Sequence, residues 1–172
     1  MIVKNKDQRI AILVDVQNMY YSAKHLYSAK VNFKNLLDEA ISGRILTRAI
    51  AYVIKTDIVK KEKNFFEALN KCGFEIKSKD LQIFPGGEKK GDWDVGITMD
   101  AIRLAKKVDA IIIVSGDGDY IPLVKYLQLS EGCLVEVFAF GKTCSKELVG
   151  VADDFIDMDK GKEKFLMRRR FI

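Results

Sequence analysis

Short apolar runs alternate along this chain with longer stretches in which apolar residues recur at helical spacing. The short runs predict strands, and the longer stretches predict amphipathic helices. Predicted strands lie near residues 9–16, 45–54, 74–78, 109–115, 133–140 and 154–158, and predicted helices near 18–28, 33–42, 60–72, 93–107, 120–130 and 143–150. The alternation predicts an α/β fold, a three-layer doubly wound and mainly parallel sheet of about five or six strands. Residues 82–92, with Pro85 followed by two glycines, predict a long loop.

Length and composition fit one domain of this class. The 172 residues, 48% of them hydrophobic, are enough for one well-covered core. We expect the domain over residues 1–159 and a basic tail over residues 160–172. The chain has no apolar run long enough to cross a membrane, and its N-terminus lacks the apolar core of a signal peptide. A cytoplasmic protein without membrane contact is therefore expected.

The cysteines give no sign of metal or redox chemistry. They are three in number, widely separated, and form no Cys-x-x-Cys pair. We therefore expect Cys72, Cys133 and Cys144 to be reduced and buried or half-buried.

The net charge of +5 comes from the C-terminal tail, since residues 160–172 hold six basic residues and one acidic residue. The rest of the chain is neutral, so overall basicity does not indicate a nucleic-acid-binding domain. The tail is either an arm that contacts phosphates or a solvated segment with some packed aromatic residues. Its apolar residues Phe165, Leu166 and Phe171 either form a homodimer contact or pack on their own domain.

Acidic residues follow two of the predicted strands. The continuous apolar run Ala110–Val114 predicts a strand buried on both faces, and Asp117 and Asp119 come directly after it. Asp15 ends the first predicted strand, and Asn18 lies three residues later at the start of a helix. Ligands of open α/β sheets bind beyond the carboxyl ends of the strands. These acids are therefore candidates for a functional site.

A further acid belongs to the helix predicted near 93–107. Asp92 is a plausible N-cap, which places Asp94 in the first helical turn, on the edge of the apolar stripe that faces the sheet. Asp100 falls on the opposite edge of that stripe. Each acid taken singly has an ordinary structural explanation as a cap or turn residue.

Taken together, the acids predict a metal site. In a doubly wound sheet the first and fourth strands are neighbours, so Asp15 would meet Asp117 and Asp119, and Asp94 would start its helix at the same edge. Several carboxylates in one cleft repel one another unless divalent cations neutralise them. Mg²⁺ and Mn²⁺ prefer such oxygen ligands.

Three motifs resemble, in order and spacing, those of the NYN domain family, which belongs to the PIN-like metal-dependent ribonucleases and includes LabA-like bacterial proteins. The motifs are Asp15-Val-Gln-Asn18, Lys90-Gly-Asp-Trp-Asp94 with Asp100 six residues on, and Ser115-Gly-Asp-Gly-Asp-Tyr120. The resemblance runs from about residue 10 to residue 157. It implies a PIN-like fold and a Mg²⁺ or Mn²⁺ site with Asp15, Asp94, Asp117 and Asp119 as metal ligands and catalytic residues, supported by Asn18 and Ser115.

The chain departs from the family pattern at four positions, none of them a carboxylate. They are Val16, Trp93, Gly118 and Tyr120, where family members often have glycine, a small aliphatic residue, serine and phenylalanine. The residues Val16 and Trp93 bear on how closely a substrate backbone can approach the site.

These features predict a metal-dependent nuclease that hydrolyses phosphodiester bonds, with RNA favoured over other nucleic acids as substrate. Lys89 and Lys90 are candidates to bind a substrate phosphate. His25 is the only histidine, so a mechanism with a histidine acid and base pair is excluded. A haloacid dehalogenase phosphatase is disfavoured because Gln17 stands where its general acid would be. The alternative left open is a LabA-like regulatory module that binds nucleic acid or protein with little or no hydrolysis.

Overall fold

The computed structural model describes residues 4–55, 59–83, 85–86 and 89–167, and for residues 59–62, 82–83 and 89–90 it describes the backbone alone. The strands are β1 (Arg9–Asp15), β2 (Ile45–Lys55), β3 (Glu75–Asp80), β4 (Gln82–Ile83), β5 (Lys89–Lys90), β6 (Ala110–Val114), β7 (Leu134–Ala139) and β8 (Asp154–Asp157). The helices are α1 (Val16–Tyr27), α2 (Phe33–Ile41), α3 (Val59–Cys72), α4 (Asp94–Ala105), α5 (Ile121–Leu129), α6 (Lys146–Val151) and α7 (Lys162–Phe165).

Six of these strands form one parallel sheet in the order β3-β2-β1-β6-β7-β8. The predicted doubly wound α/β fold is confirmed. Strand β1 lies beside β6, with Ile12 opposite Ile112, although about a hundred residues separate them along the chain. From this pair the chain adds β2 and β3 on one side of the sheet and β7 and β8 on the other, so the direction of strand order changes between β1 and β6. The carboxyl ends of β1 and β6 therefore share one edge, where a ligand site is expected.

The two central strands are buried because helices cover both faces of the sheet. Alternate side chains of β1 point to opposite faces: Ile12 and Val14 belong to the core under α1 and α2, and Leu13 belongs to the core under α4 and α5. Every residue of β6 is buried. An unbroken apolar run is what a strand needs when it has no solvent-facing side.

The start of α4 differs from the expectation. Helix α4 begins at Asp94 with Trp93 as its N-cap, and no side chain caps it, so the prediction that Asp92 is the N-cap is wrong. The physical reason is tertiary: the indole Nε1 of Trp93 donates a hydrogen bond of 2.9 Å to the carbonyl oxygen of Val53 in β2. This contact fixes Trp93 on the sheet and outweighs the capping propensity of Asp92.

The region 82–92 also differs from the predicted loop, because β4 and β5 pair there as a small antiparallel ribbon. Its strands of two residues each are too short to show an apolar alternation in the sequence.

The described part of the C-terminal segment packs on its own domain. Phe165, in α7, is only 4% exposed, and Leu166 packs against the same core. The amide of Asn32 donates to the carbonyl oxygen of Phe165 at 2.7 Å, and Leu166 forms a β-bridge with Val31. Arg168, Arg169, Arg170 and Phe171 lie outside the described residues. Among the helices that are described, none is both long and apolar enough to span a membrane.

Candidate metal centre

The loop after β6 places two aspartates in fixed positions. Asp117 is the N-cap of a short 3-10 helix, Gly118–Tyr120, and its Oδ1 accepts a hydrogen bond of 3.0 Å from the amide of Asp119. The Oγ of Ser115, which is fully buried, accepts from the amide of Asp117 at 3.3 Å. Ser115 thus holds the backbone that carries Asp117. That Ser115 supports a metal site stays a prediction.

Asp94 reaches this loop from the first turn of α4. The hydroxyl of Tyr120, a side chain only 1% exposed, donates to Asp94 Oδ1 at 3.1 Å. One carboxylate oxygen from each of Asp94, Asp117 and Asp119 lies within 4.8 Å of the other two. Burial and the charges of Asp92, Asp117 and Asp119 raise the pKa of Asp94, against the hydrogen bond from Tyr120. The three carboxylates therefore repel one another.

Asp15 adjoins this group without belonging to it. It ends β1 and caps α1, where its Oδ1 accepts from the amide of Asn18 at 3.0 Å. Burial, helped by the charges of Asp94 and Asp117, raises the pKa of Asp15 to about 6 from an ordinary value of 3.8. The Oδ1 of Asn18 accepts from the amide of Gly116 at 3.0 Å. Asn18 therefore ties α1 to the loop that carries Asp117.

Two glycines let a neighbouring loop support the β6 loop. A Cβ added at Gly116 would lie 3.0 Å from the Cα of Cys144, and one added at Gly118 would lie 3.1 Å from Ser145 Oγ. The amide of Ser145 also donates to the carbonyl oxygen of Gly116 at 2.9 Å. A supporting role for Ser145 is not predicted from the sequence. Its position directly before α6 is nevertheless a recognisable N-cap signal, and its side chain accepts a hydrogen bond from the amide of Leu148.

Asp100 lies apart from the centre, in a cation-rich setting. Its Oδ2 accepts from Tyr52 at 2.7 Å and from Lys77 at 2.6 Å, and Arg103 lies 3.9 Å from Oδ1. Although burial opposes it, the pKa of Asp100 is lowered by the hydrogen bonds from Lys77 and Tyr52. These contacts link α4 to β2 and β3, so Asp100 has a structural place in the fold.

The remaining candidates have simpler positions. His25 is exposed on α1, and the three cysteines are free, with Cys133 buried and the other two half-buried, as predicted. The backbone of Lys89 and Lys90 forms β5, but their side chains lie outside the described part of the structure. Their role as phosphate-binding residues stays a prediction.

The donor set suits a hard divalent cation. Asp94, Asp117 and Asp119 offer only carboxylate oxygens, which Mg²⁺ and Mn²⁺ prefer, and Asp15 adds negative charge beside them. Among the described residues, this group includes no sulfur or imidazole donor.

Comparisons with known proteins bear on the family and the fold of this chain. The NYN domain family matches residues 9–159. The chain is 23% identical over 161 residues to the low amplitude and bright protein LabA of Synechococcus elongatus, covering 90% of this chain and 86% of that protein. It is 36% identical to a protein of unknown function from Vibrio parahaemolyticus, whose crystal structure superposes with a TM-score of 0.87 and covers 96% of this chain and 100% of the other.

Proposed function

Since this chain belongs to the NYN domain family, we propose that it is a metal-dependent nuclease, and specifically a ribonuclease that hydrolyses phosphodiester bonds with Mg²⁺ or Mn²⁺. The observation that carries the proposal is the convergence of Asp94, Asp117 and Asp119, whose carboxylate oxygens lie within 4.8 Å of one another. One of these carboxylates comes from α4 and two come from the loop after β6, at the edge where ligands of a doubly wound sheet bind. Like charges held this close repel one another unless a cation lies between them.

In this proposal Asp94, Asp117 and Asp119 hold the cation, and Asp15 contributes the charge that strengthens its binding. A bound divalent cation would act as a Lewis acid, activating water and stabilising charge on the scissile phosphate. Tyr120 orients Asp94 through its hydroxyl, while Ser115 and Asn18 fix the loop that carries Asp117. These partly buried hydrogen bonds would keep the carboxylates at their mutual distances before a cation binds, which lowers the cost of organising the site.

The test is cleavage of fluorescently labelled RNA in EDTA, Mg²⁺ or Mn²⁺. We expect wild type to cleave only with metal and Asp117→Asn to lose about a hundredfold or more of that activity, because it removes a ligand. The matched control is Asp109→Asn, which changes an aspartate at the opposite end of the same strand. The proposal is wrong if wild type shows no metal-stimulated cleavage of any RNA or DNA tested.

A second candidate is a regulatory module of the LabA type, with little or no hydrolysis. It is favoured by the similarity to LabA over 90% of this chain. The same assay separates the nuclease from the binding module. A binding module would leave the labelled RNA uncleaved with or without metal, and wild type and Asp117→Asn would give the same result.

A further inference from the structure

A tryptophan and a lysine form a stacked pair directly beside the metal centre. The Nζ of Lys79 lies 4.8 Å from the centroid of the Trp93 ring, a cation–π contact. Trp93 precedes Asp94, the residue that brings α4 into the acidic group. The pair therefore stands at the start of α4, one residue from a predicted metal ligand.

The tryptophan ring is fixed from several sides. Its Nε1 donates to the carbonyl oxygen of Val53, and the ring packs at a tilt against Tyr52, with the centroids 5.3 Å apart. It also lies so close to Gly96 that a Cβ there would be 2.5 Å from a ring carbon. The ring is thus a rigid platform, and the ammonium above it has a defined position.

Strand β3 presents two lysines to α4, and they differ in their partners. Lys77 is paired with Asp100, whereas Lys79, two residues nearer the carboxyl end of the strand, contacts Trp93. Within the described residues, the salt bridges leave Lys79 without a carboxylate partner. An aromatic face does not occupy the hydrogen-bond donors of an ammonium group, so Lys79 can still donate to an anion.

A basic side chain near the acidic centre would help a nucleic acid to bind there. Four carboxylates of the same sign repel a polyanion, and one divalent cation neutralises only part of that charge. A positive group at the same sheet edge would attract the phosphates on either side of the reacting one.

We propose that Lys79, positioned by Trp93, binds a backbone phosphate of the nucleic acid next to the one that reaches the metal centre. This inference rests on the proposed nuclease function and assigns a substrate-positioning residue to that site.

The experiment measures binding rather than cleavage, so that it does not depend on turnover. A short fluorescein-labelled single-stranded RNA is titrated with Asp117→Asn protein in Mg²⁺, by fluorescence anisotropy, between about 50 and 200 mM salt. Lys79→Gln, Lys79→Arg and Lys107→Gln are each added to this background. Lys107 is an exposed lysine just beyond the other end of α4 and serves as the matched control.

We expect Lys79→Gln to weaken binding about two- to fivefold and to reduce the slope of log affinity against log salt by about 0.7, the value for one phosphate contact on a single strand. Lys79→Arg should keep the slope, and Lys107→Gln should leave it unchanged. Equal slopes for Lys79→Gln and its background, or no RNA binding at all, overturn the proposal. Absence of metal-stimulated cleavage by wild type would refute the nuclease activity instead, and the salt slope would still decide the role of Lys79.

Discussion

The acidic centre should lower the stability of the metal-free protein, and Asp15→Asn should relieve that cost. Burial and the charges of Asp94 and Asp117 raise the pKa of Asp15 from 3.8 to about 6. Between these two pH values the folded state binds more protons than the unfolded state, so stability falls as pH rises. Above pH 6 the full cost is present, and the difference between 3.8 and about 6 corresponds to at most about 3 kcal/mol.

Asparagine is a suitable replacement because it caps helices as well as aspartate does. Its Oδ1 can still accept the hydrogen bond from the amide of Asn18, so the substitution removes the charge and keeps the cap. In EDTA at pH 7 we expect Asp15→Asn to increase the free energy of unfolding by about 1–3 kcal/mol. The gain should shrink as pH falls through 6 and vanish below about 3.8, where wild-type Asp15 is protonated in both states.

Urea denaturation in EDTA, followed by circular dichroism at a series of pH values, measures this difference. Asp109→Asn is the control, because the pKa of Asp109 is shifted in the opposite direction. Hydrogen bonds from Arg9 lower that pKa, so removing the charge of Asp109 should not stabilise the protein. The reasoning is refuted if Asp15→Asn gives no gain at pH 7, or if its gain does not change with pH.

Two other predictions concern packing and buried charge. Gly96→Ala should cost about 1–3 kcal/mol of stability in urea denaturation, because its Cβ would lie 2.5 Å from the Trp93 ring; a stability equal to wild type would contradict the fixed ring. Arg44→Ala should cost about 3–5 kcal/mol, because it leaves Glu136, whose side chain is fully buried, without the guanidinium that contacts both its oxygens. A small loss in that variant would mean that Lys4, 3.0 Å from Glu136, compensates the charge.

Periodicity and residue type were enough to predict the sheet and the edge at which Asp15 and Asp117 lie. Apolar runs identify the buried strands, and the doubly wound order then makes β1 and β6 neighbours. The start of α4 could not be predicted in this way, because Trp93 is fixed by a carbonyl group in β2, forty residues earlier in the chain.

The hydrogen bonds and ion pairs between side chains far apart in the chain could not be predicted from the sequence either. Tyr120 donates to Asp94, and Lys77 pairs with Asp100, across 26 and 23 residues of chain. The buried pair of Arg44 and Glu136 spans 92 residues. Hydrophobic patterns report which face of an element is buried, but they hold no information about which polar group lies opposite.

The aspartates with a structural role differ from those of the proposed site in the charge of the groups around them. Asp100 and Asp109 each have a basic side chain in contact, and their pKa values are lowered. Asp15 and Asp94 have raised pKa values, and the charges acting on them are those of other aspartates. Among the residues whose side chains the structure describes, the ion pairs thus leave Asp15 and Asp94 without a basic partner, although burial makes that arrangement costly. Such a cost is expected where a site binds a cation, because the cation restores the stability that the metal-free protein lacks. Metal binding should therefore raise the unfolding free energy of wild type more than that of Asp15→Asn.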